Sequence, residues 1–244
     1  MHRRKMGIYK GQEGHVKVII TKTDPEAGNR SVSAYVMPRD THGLSVGRDE
    51  SLLGLRGSPT SELIFDNARV PAENRLGEEG EGFKLAMVTL DEARLNCSAM
   101  ALGVAGAALE LAVDYAKQRE QFGKPIIEHQ GLQFLLAEVT AEVAAAHALW
   151  EKAMTTIERE KSREASVWAA LAKLVSTDAA MRATTEAVQV FGAAGLSRAQ
   201  PLERMMRDVK AFQIFDGTNQ IQKMLIGRHL QRYGSPLGRG AVDI

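Results

Sequence analysis

The six residues Gly77-Glu78-Glu79-Gly80-Glu81-Gly82 divide this chain into two kinds of pattern. Before them, apolar residues alternate as they do along strands. After them, apolar residues recur every three or four positions, as along helices. A chain that changes period once, strands first and helices second, is confined to an α+β fold, here mostly α.

The strand part is short. Val16, Val18 and Ile20 alternate with Lys17, Ile19 and Thr21. A turn-rich break follows at Asp24-Pro25-Glu26-Ala27-Gly28-Asn29, and Val32, Ala34 and Val36 alternate again as far as Pro38. Leu44-Ser45-Val46 is a third candidate. Ser61 to Val70 is a fourth, with Leu63 and Phe65 on one face and Glu62, Ile64 and Asp66 on the other. So few strands leave edges unpaired and a face uncovered. Residues 1–76 therefore read as a partial sheet or barrel segment, a piece of a larger sheet structure.

From Phe83 to about Arg119 the chain carries Ala86, Leu90, Ala93, Cys97, Met100 and Leu102, then Gly103, Ala105, Gly106, Ala107 and Ala108. A helix apolar nearly all round and rich in small residues belongs at the centre of a bundle, closely packed. Residues 127–160 set Leu132, Leu135, Leu136, Val139, Val143, Ala146 and Trp150 on one stripe. Residues 163–191 carry Val167, Leu171, Leu174, Val175 and Ala183, interrupted by Asp178 and Arg182, which suits either a solvated edge or a partner subunit. Gly192 and Gly195 end that helix. Leu202 to Phe212 is a short helix and Asn219 to Tyr233 the last. Residues 77–234 thus read as an antiparallel four-helix bundle, with a loose tail at 235–244.

Composition narrows the function. A hydrophobic content of 44 % in 244 residues supports a real core, and a net charge of +1 leaves no strong basic surplus, so nucleic acid is not a favoured partner. The single cysteine, Cys97, has no disulfide partner and reads as a small buried hydrophobe; no Cys/His spacing suggests a metal site. No uninterrupted apolar run reaches the roughly 18 residues of a membrane span. The basic start, Met1-His2-Arg3-Arg4-Lys5, is followed by no apolar segment, so it does not read as a signal peptide.

Four stretches hold polar groups that a plain bundle does not need. Arg119-Glu120-Gln121-Phe122-Gly123-Lys124 lies between the first two long helices and offers a guanidinium fork, an aromatic ring and a tight turn. Glu128-His129-Gln130 opens the second helix. Gln189-Val190-Phe191-Gly192-Ala193-Ala194-Gly195 is a Gly/Ala-rich helix exit, either a simple C-cap or backbone that a phosphate chain can approach. The fourth, Gln213-Ile214-Phe215-Asp216-Gly217-Thr218-Asn219-Gln220, carries an acid to the mouth of the last helix, where free N–H groups and the helix dipole favour negative charge. Asp216 or Thr218 can be an N-cap there and nothing more.

In this order and on these helix ends, the stretches resemble the acyl-CoA dehydrogenase family, over about residues 16–233. Tyr115 to Ile126 followed by Glu128-His129-Gln130 is similar to one of its signatures, and Gln213 to Lys223 to the other. Thr23-Asp24-Pro25-Glu26, Gly43 to Gly47, Leu53 to Arg56, Glu62 to Phe65 and Val70 to Asn74 look like the second half of its middle β domain.

The resemblance implies a flavoenzyme with the family's C-terminal bundle. FAD would lie between the β domain and the bundle and be clasped by two bundles of a homodimer, with a homotetramer built from two such dimers. By position, Arg119 and Phe122 would touch the flavin nucleotide of the partner subunit, with Gln121, His129 and Gln130 in the same cofactor-facing motif. Gln121 stands where the family often has a small hydroxyl residue. Gln189 and Gly192 would hold the pyrophosphate region, and Ala193 stands where a second glycine is usual. Thr218 and Gln220 would contact the flavin. Asp91, Arg94 and Gly217 match positions along the acyl-CoA path. The implied reaction is α,β-dehydrogenation of an acyl-CoA thioester, with Asp216 as the base for the α-proton and an electron-transfer flavoprotein-type acceptor. The implied location is the bacterial cytoplasm or the mitochondrial matrix.

Two departures stand out. The family's usual base is Glu where this chain has Asp216, one methylene shorter; its minority position on the first long helix is Ala93 here, and the neighbouring Glu92 is rotated about 100° away. The family's N-terminal helical domain has no counterpart in the sequence. That raises a different expectation: a truncated or partner-dependent subunit, its missing half supplied by a separate chain, that oligomerises without doing chemistry by itself.

Overall fold

A computed structural model describes residues 2–23, 31–159 and 162–237. The turn-rich break expected at Asp24 to Asn29, and most of the tail expected at 235–244, lie outside the described residues. The chain forms two compact units, Met1–Thr89 and Leu90–Ile244.

The first unit holds two small antiparallel sheets. One has the order β1-β5-β4, from His2–Tyr9, Thr60–Asp66 and Leu44–Asp49; the other has the order β2-β3-β6, from Val16–Lys22, Val32–Pro38 and Arg75–Leu76. The strand β1 was not expected. Its basic composition argues for an exposed arm, but its backbone pairs with β5 from His2↔Asp66 to Tyr9↔Thr60, with an irregularity between Lys5 and Ile8 where Gly7 takes φ +72°. Pairing with a partner strand overrides local composition. The core is Ile19, Met37, Leu63, Phe65 and Ala68, flanked by Ile8, Leu44, Val46 and Val70. Leu63 and Phe65 point inward as their alternation requires.

Strand β2 faces the other way from its apolar alternation. Ile19 and Lys17 are buried, whereas Val16 and Val18 are each 57 % exposed and Ile20 40 %. Apolar residues occupy both sides of this strand, so period alone cannot choose the inner one. The buried Lys17 amine donates to Gly14 O at 2.8 Å, and burial, helped by nearby Arg39, holds it below the usual lysine range.

Helix α1, Gly82–Gln118, starts at the expected place. Gly82 is required there: a Cβ would lie 2.5 Å from the Ser33 carbonyl carbon. Helices α2 (Gln130–Arg159), α3 (Arg163–Phe191), α4 (Leu202–Phe212) and α5 (Asn219–Tyr233) complete the second unit. Ser162 caps α3 by accepting from Ala165 N–H, and Thr218 caps α5 by accepting from Ile221 N–H.

The bundle is packed largely through alanine. Ala108, Ala112 and Ala116 of α1 meet Leu136 of α2, Ala187, Val190 and Phe191 of α3, and Leu202 of α4. Leu102, Ala146 and Ala179 form a second cluster, and Trp150 Nε1 donates to Leu95 O at 3.0 Å. On the outer side of α2 and α3, Arg182 bridges Glu138 and Glu142, so the charged interruption of the α3 stripe is met within the chain. Helix α1 is less enclosed than expected. Ala99, Gly103, Gly106, Ala107 and Glu110 line an open groove with His147 and Trp150, because glycine permits close approach without supplying atoms to fill it. By length and composition α1 and α2 could each cross a membrane, although neither is an uninterrupted apolar run. The apolarity of α1 goes into the bundle, where Ala101, Ala105, Ala108, Ala112 and Ala116 are buried.

Gly195, in the short 3-10 turn after α3, is buried, and a Cβ on it would stand 2.5 Å from Val188 O. Gly195→Ala should lower stability by about 1–3 kcal/mol. Thr218→Ala, which removes only a cap, should cost about 1 kcal/mol. Urea unfolding of both variants checks the order; a Gly195→Ala midpoint equal to wild type would rule out the close approach.

Candidate active site

Asp216 stands on the loop between α4 and α5. It takes φ +53° and Gly217 takes φ +89°, so two successive residues are left-handed. Aspartate tolerates that region better than most residues, and glycine suits position 217 because φ +89° is strained for any residue with a side chain, and a Cβ there would also press on Gln222 Nε2 at 2.8 Å. The loop is pinned from below. Gly217 O accepts from Gln222 Nε2 at 2.7 Å and from Lys173 Nζ at 3.0 Å. Lys173 Nζ also donates to Asn219 Oδ1 at 2.9 Å. Asn219 Nδ2 donates to Asp178 Oδ1 at 2.7 Å, and the same oxygen accepts from Gln213 Nε2 at 2.6 Å.

Burial pushes the half-buried Asp216 carboxyl above its usual range, against the pull of the Lys173 and Arg94 cations. Arg94 is itself buried, on α1. It donates to Asp91 Oδ1 at 2.5 Å, while Asp91 Oδ2 accepts from Ser166 Oγ of α3 at 2.5 Å. Arg94 Nε and Gln222 Oε1 are buried without a hydrogen-bond partner among the described residues. Cys97 lies on the same stretch of α1, fully buried, its thiol pushed up to about 12 by desolvation, and its Sγ approaches Phe212 O at 3.6 Å. It is the small buried hydrophobe that its sequence context suggests.

Asp216, Gly217, Asp91 and Arg94 thus gather at one part of the bundle, linked electrostatically through Lys173. Thr218 stands beside them with its hydroxyl committed to capping, and Gln220 is exposed on the first turn of α5.

The remaining candidates lie elsewhere. Glu120–Gln121 and Lys124–Pro125 pair as a two-residue-loop hairpin, β7 and β8, between α1 and α2. Phe122 at φ +55° and Gly123 at φ +79° form its tip, the geometry of a type I′ turn. Phe122 is 93 % exposed and meets His129 edge-on at 6.0 Å. His129 Nε2 lies 3.2 Å from Gln121 O, which ties the hairpin to the start of α2. Arg119, Gln121 and Gln130 are exposed. Tyr115 stacks on Phe191 at 4.1 Å, so the base of this hairpin meets the end of α3, where Gln189, Gly192 and Ala193 are also exposed. Gly192 takes φ +58° and has open space where a side chain would be. From Lys173 to Phe191 runs roughly 27 Å of helix. One chain therefore does not bring the hairpin group and the Asp216 group into one cluster.

Sequence reasoning passed over Lys173, Thr177, Asp178, Gln213 and Gln222 as site residues, and took Asn219 only as a helix start. The signal was present. Ala169, Ala172, Lys173, Ser176, Thr177, Ala180 and Thr184 form one buried stripe of α3, and a lysine inside such a stripe needs acceptors.

Residues 80–231 match the model of the acyl-CoA dehydrogenase C-terminal domain. The short-chain-specific acyl-CoA dehydrogenase of Megasphaera elsdenii is 44 % identical over 228 residues, which are 93 % of this chain and 59 % of that protein. The solved structure of butyryl-CoA dehydrogenase from the same organism superposes with a TM-score of 0.91 at 44 % identity, over 95 % of this chain and 60 % of that one. PigA, solved with FAD and proline, superposes with a TM-score of 0.91 at 29 % identity, over 94 % of this chain and 60 % of PigA. The chain thus spans about three fifths of the length of the relatives it matches. With its bundle matched by the family model and its fold shared with solved members, the chain belongs to the acyl-CoA dehydrogenase family.

Proposed function

We propose that this chain carries the base and part of the cofactor grip of an FAD-dependent dehydrogenase that introduces an α,β double bond into an acyl-CoA thioester. The observation that carries the reading is the Asp216 turn: an acid in an uncommon backbone conformation, half-buried, its acidity weakened by desolvation, with a buried arginine within electrostatic reach. Such a residue is held by its surroundings rather than by its own preference, which points to use.

In this reading Asp216 removes the α-proton. Desolvation strengthens it as a base towards the working pH, and the Arg94 and Lys173 cations keep it ionised. Thioester acidity is raised by N–H and O–H donors at the carbonyl. Bound FAD supplies the acceptor for the hydride that leaves the β-carbon. The chemistry of the exposed groups at the far end suits it: Phe122 offers a flat face, Arg119 a fork for phosphate, and Gln189 with the open backbone at Gly192 a surface for a pyrophosphate. Their distance from Asp216 supports a flavin clasped between two copies, so that Arg119, Gln121, Phe122, His129, Gln130, Gln189, Gly192 and Ala193 serve the partner's site, while Thr218 and Gln220 serve their own. Asp91 and Arg94 line the acyl-CoA path, and an electron-transfer flavoprotein-type acceptor takes the electrons onward.

A second reading is favoured by the apolar row of Val16, Val18 and Ile20, which is left exposed among the described residues. In it the chain works only with a further polypeptide on its sheet, or oligomerises without chemistry. Purification separates the two: a yellow oligomer near stoichiometric flavin supports the first, and a colourless stable oligomer the second.

For the base, Asp216→Ala should slow acyl-CoA-driven flavin bleaching by about 10²–10⁴-fold with the fold intact. Asp216→Glu should preserve or raise the rate. Because only the ionised acid can accept the proton, the wild-type rate should climb with pH through a midpoint above that of an exposed aspartate. Bleaching by Asp216→Ala at the wild-type rate would remove Asp216 from the role.

A further inference from the structure

We propose that Lys173 is the positioning residue of the Asp216 turn: from the middle of α3 its amine holds the Gly217 carbonyl and the Asn219 side chain, and so fixes where the Asp216 carboxylate stands. The inference rests on the reading of Asp216 as the base.

Lys173 is fully buried, on a stripe whose neighbours are Ala169, Ala172 and Ala180. An alanine or leucine would satisfy packing there at lower cost, since burying an amine is unfavourable unless it is hydrogen-bonded. Both acceptors it finds among the described residues, Gly217 O at 3.0 Å and Asn219 Oδ1 at 2.9 Å, belong to the turn and to the first residue of α5. Gln222 Nε2 takes the second lone pair of the same Gly217 carbonyl at 2.7 Å. With that carbonyl held from two sides the Gly217–Thr218 peptide is fixed, and Gln222 Nε2 also reaches Asp216 O at 3.5 Å, so the residue before the glycine is steadied at φ +53°. Asn219 passes the constraint on to Asp178 of α3, which also holds Gln213 at the exit of α4. The turn is thereby fastened at both ends to one helix.

The charged and titratable groups that act on Lys173 are Cys97 and Arg94 from α1, Asp178 from its own helix, and Asp216 itself; α5 contributes Asn219 and Gln222, which do not titrate. Desolvation lowers the amine's affinity for its proton, and Cys97, Asp216 and Asp178 oppose that. The sign for Asp216 follows. A cation at Lys173 favours the carboxylate, so its removal raises the Asp216 midpoint further.

The test uses the full chain with Lys173→Met and Lys173→Arg, and two readouts that need no flavin. Hydrogen exchange over residues 213–219 should quicken by about tenfold in Lys173→Met while α1, α2 and the rest of α3 stay protected. The Asp216 carboxyl, followed with ¹³C-labelled aspartate, should titrate at higher pH in Lys173→Met and return towards wild type in Lys173→Arg. An unchanged turn and an unchanged midpoint overturn the proposal. Should Lys173→Met fail to fold, the wild-type protein still decides: in a lysine ¹⁵N spectrum the Lys173 amine must be protected from solvent, and exchange at the rate of a surface lysine overturns the proposal. The two readings fail separately. Normal bleaching by Asp216→Ala sinks Asp216 as base and leaves the exchange result standing, whereas an unaltered turn in Lys173→Met sinks the positioning role alone.

Discussion

A lysine amine sealed inside an alanine-lined helix face has to find acceptors, and in this bundle that need joins three helices. The stripe's hydroxyls demand less: Thr177 and Thr184 donate to carbonyls of their own helix, and Thr177 also accepts from Asn219 Nδ2 at 3.0 Å. The acceptors of Lys173 come from Gly217 and Asn219, and Asn219 in turn is shared with Asp178. The start of α5, the exit of α4 and the middle of α3 are therefore set by one polar cluster rather than by apolar fit, which tolerates sliding.

Alanine makes this possible. Where Ala101, Ala105, Ala108, Ala112 and Ala116 of α1 are buried, helices approach closely and leave little room for repacking. Close approach also brings charges on neighbouring helices within reach of one another without direct contact, as Arg94 of α1 is to Lys173. Helix α3 then serves as a ruler. Its middle carries the charged cluster, its end carries Phe191 stacked under Tyr115, and the exposed hairpin beyond is held at a fixed distance from the acid. That spacing is what the proposed clasp by two copies rests on.

The helical half was legible because stripe, caps and breakers agree. Gly192 with its positive φ, Thr218 with its accepting hydroxyl, and the apolar stripe of α2 each point to the boundaries that the structure has. The strand half was less so, for identifiable reasons. Strand β1 is basic, and it exists because β5 offers it a ladder, which no local pattern records. Strand β2 turns its more apolar row, Val16, Val18 and Ile20, outward and buries Lys17 and Ile19, so alternation locates the strand without saying which way it faces. Of the site, Asp216 and Gly217 were readable as an acid on a turn at a helix mouth. Lys173 was passed over, because a lysine on a helix is ordinarily exposed, and the small residues that share its stripe, Ala169, Ala172, Ser176 and Ala180, are a weaker signal than that habit. The open groove along α1 was hidden by the same alanines and glycines that suggested close packing, since small residues signal that something can come near and not that it does.

The shorter acid gives the pinned turn its weight. A flexible glutamate can correct an error in the backbone beneath it through its extra rotatable bond. Aspartate has one bond fewer, so its carboxylate goes where the backbone sends it. At Asp216 the backbone is left-handed over two residues and is held by the Gly217 carbonyl rather than by the acid's own contacts. Errors of ~1 Å at a reacting group can cost about a hundredfold in rate. A chain that carries Asp at this position therefore needs more from the residues under the turn than a chain with Glu does, and it is there that substitutions distant from any substrate should be felt most.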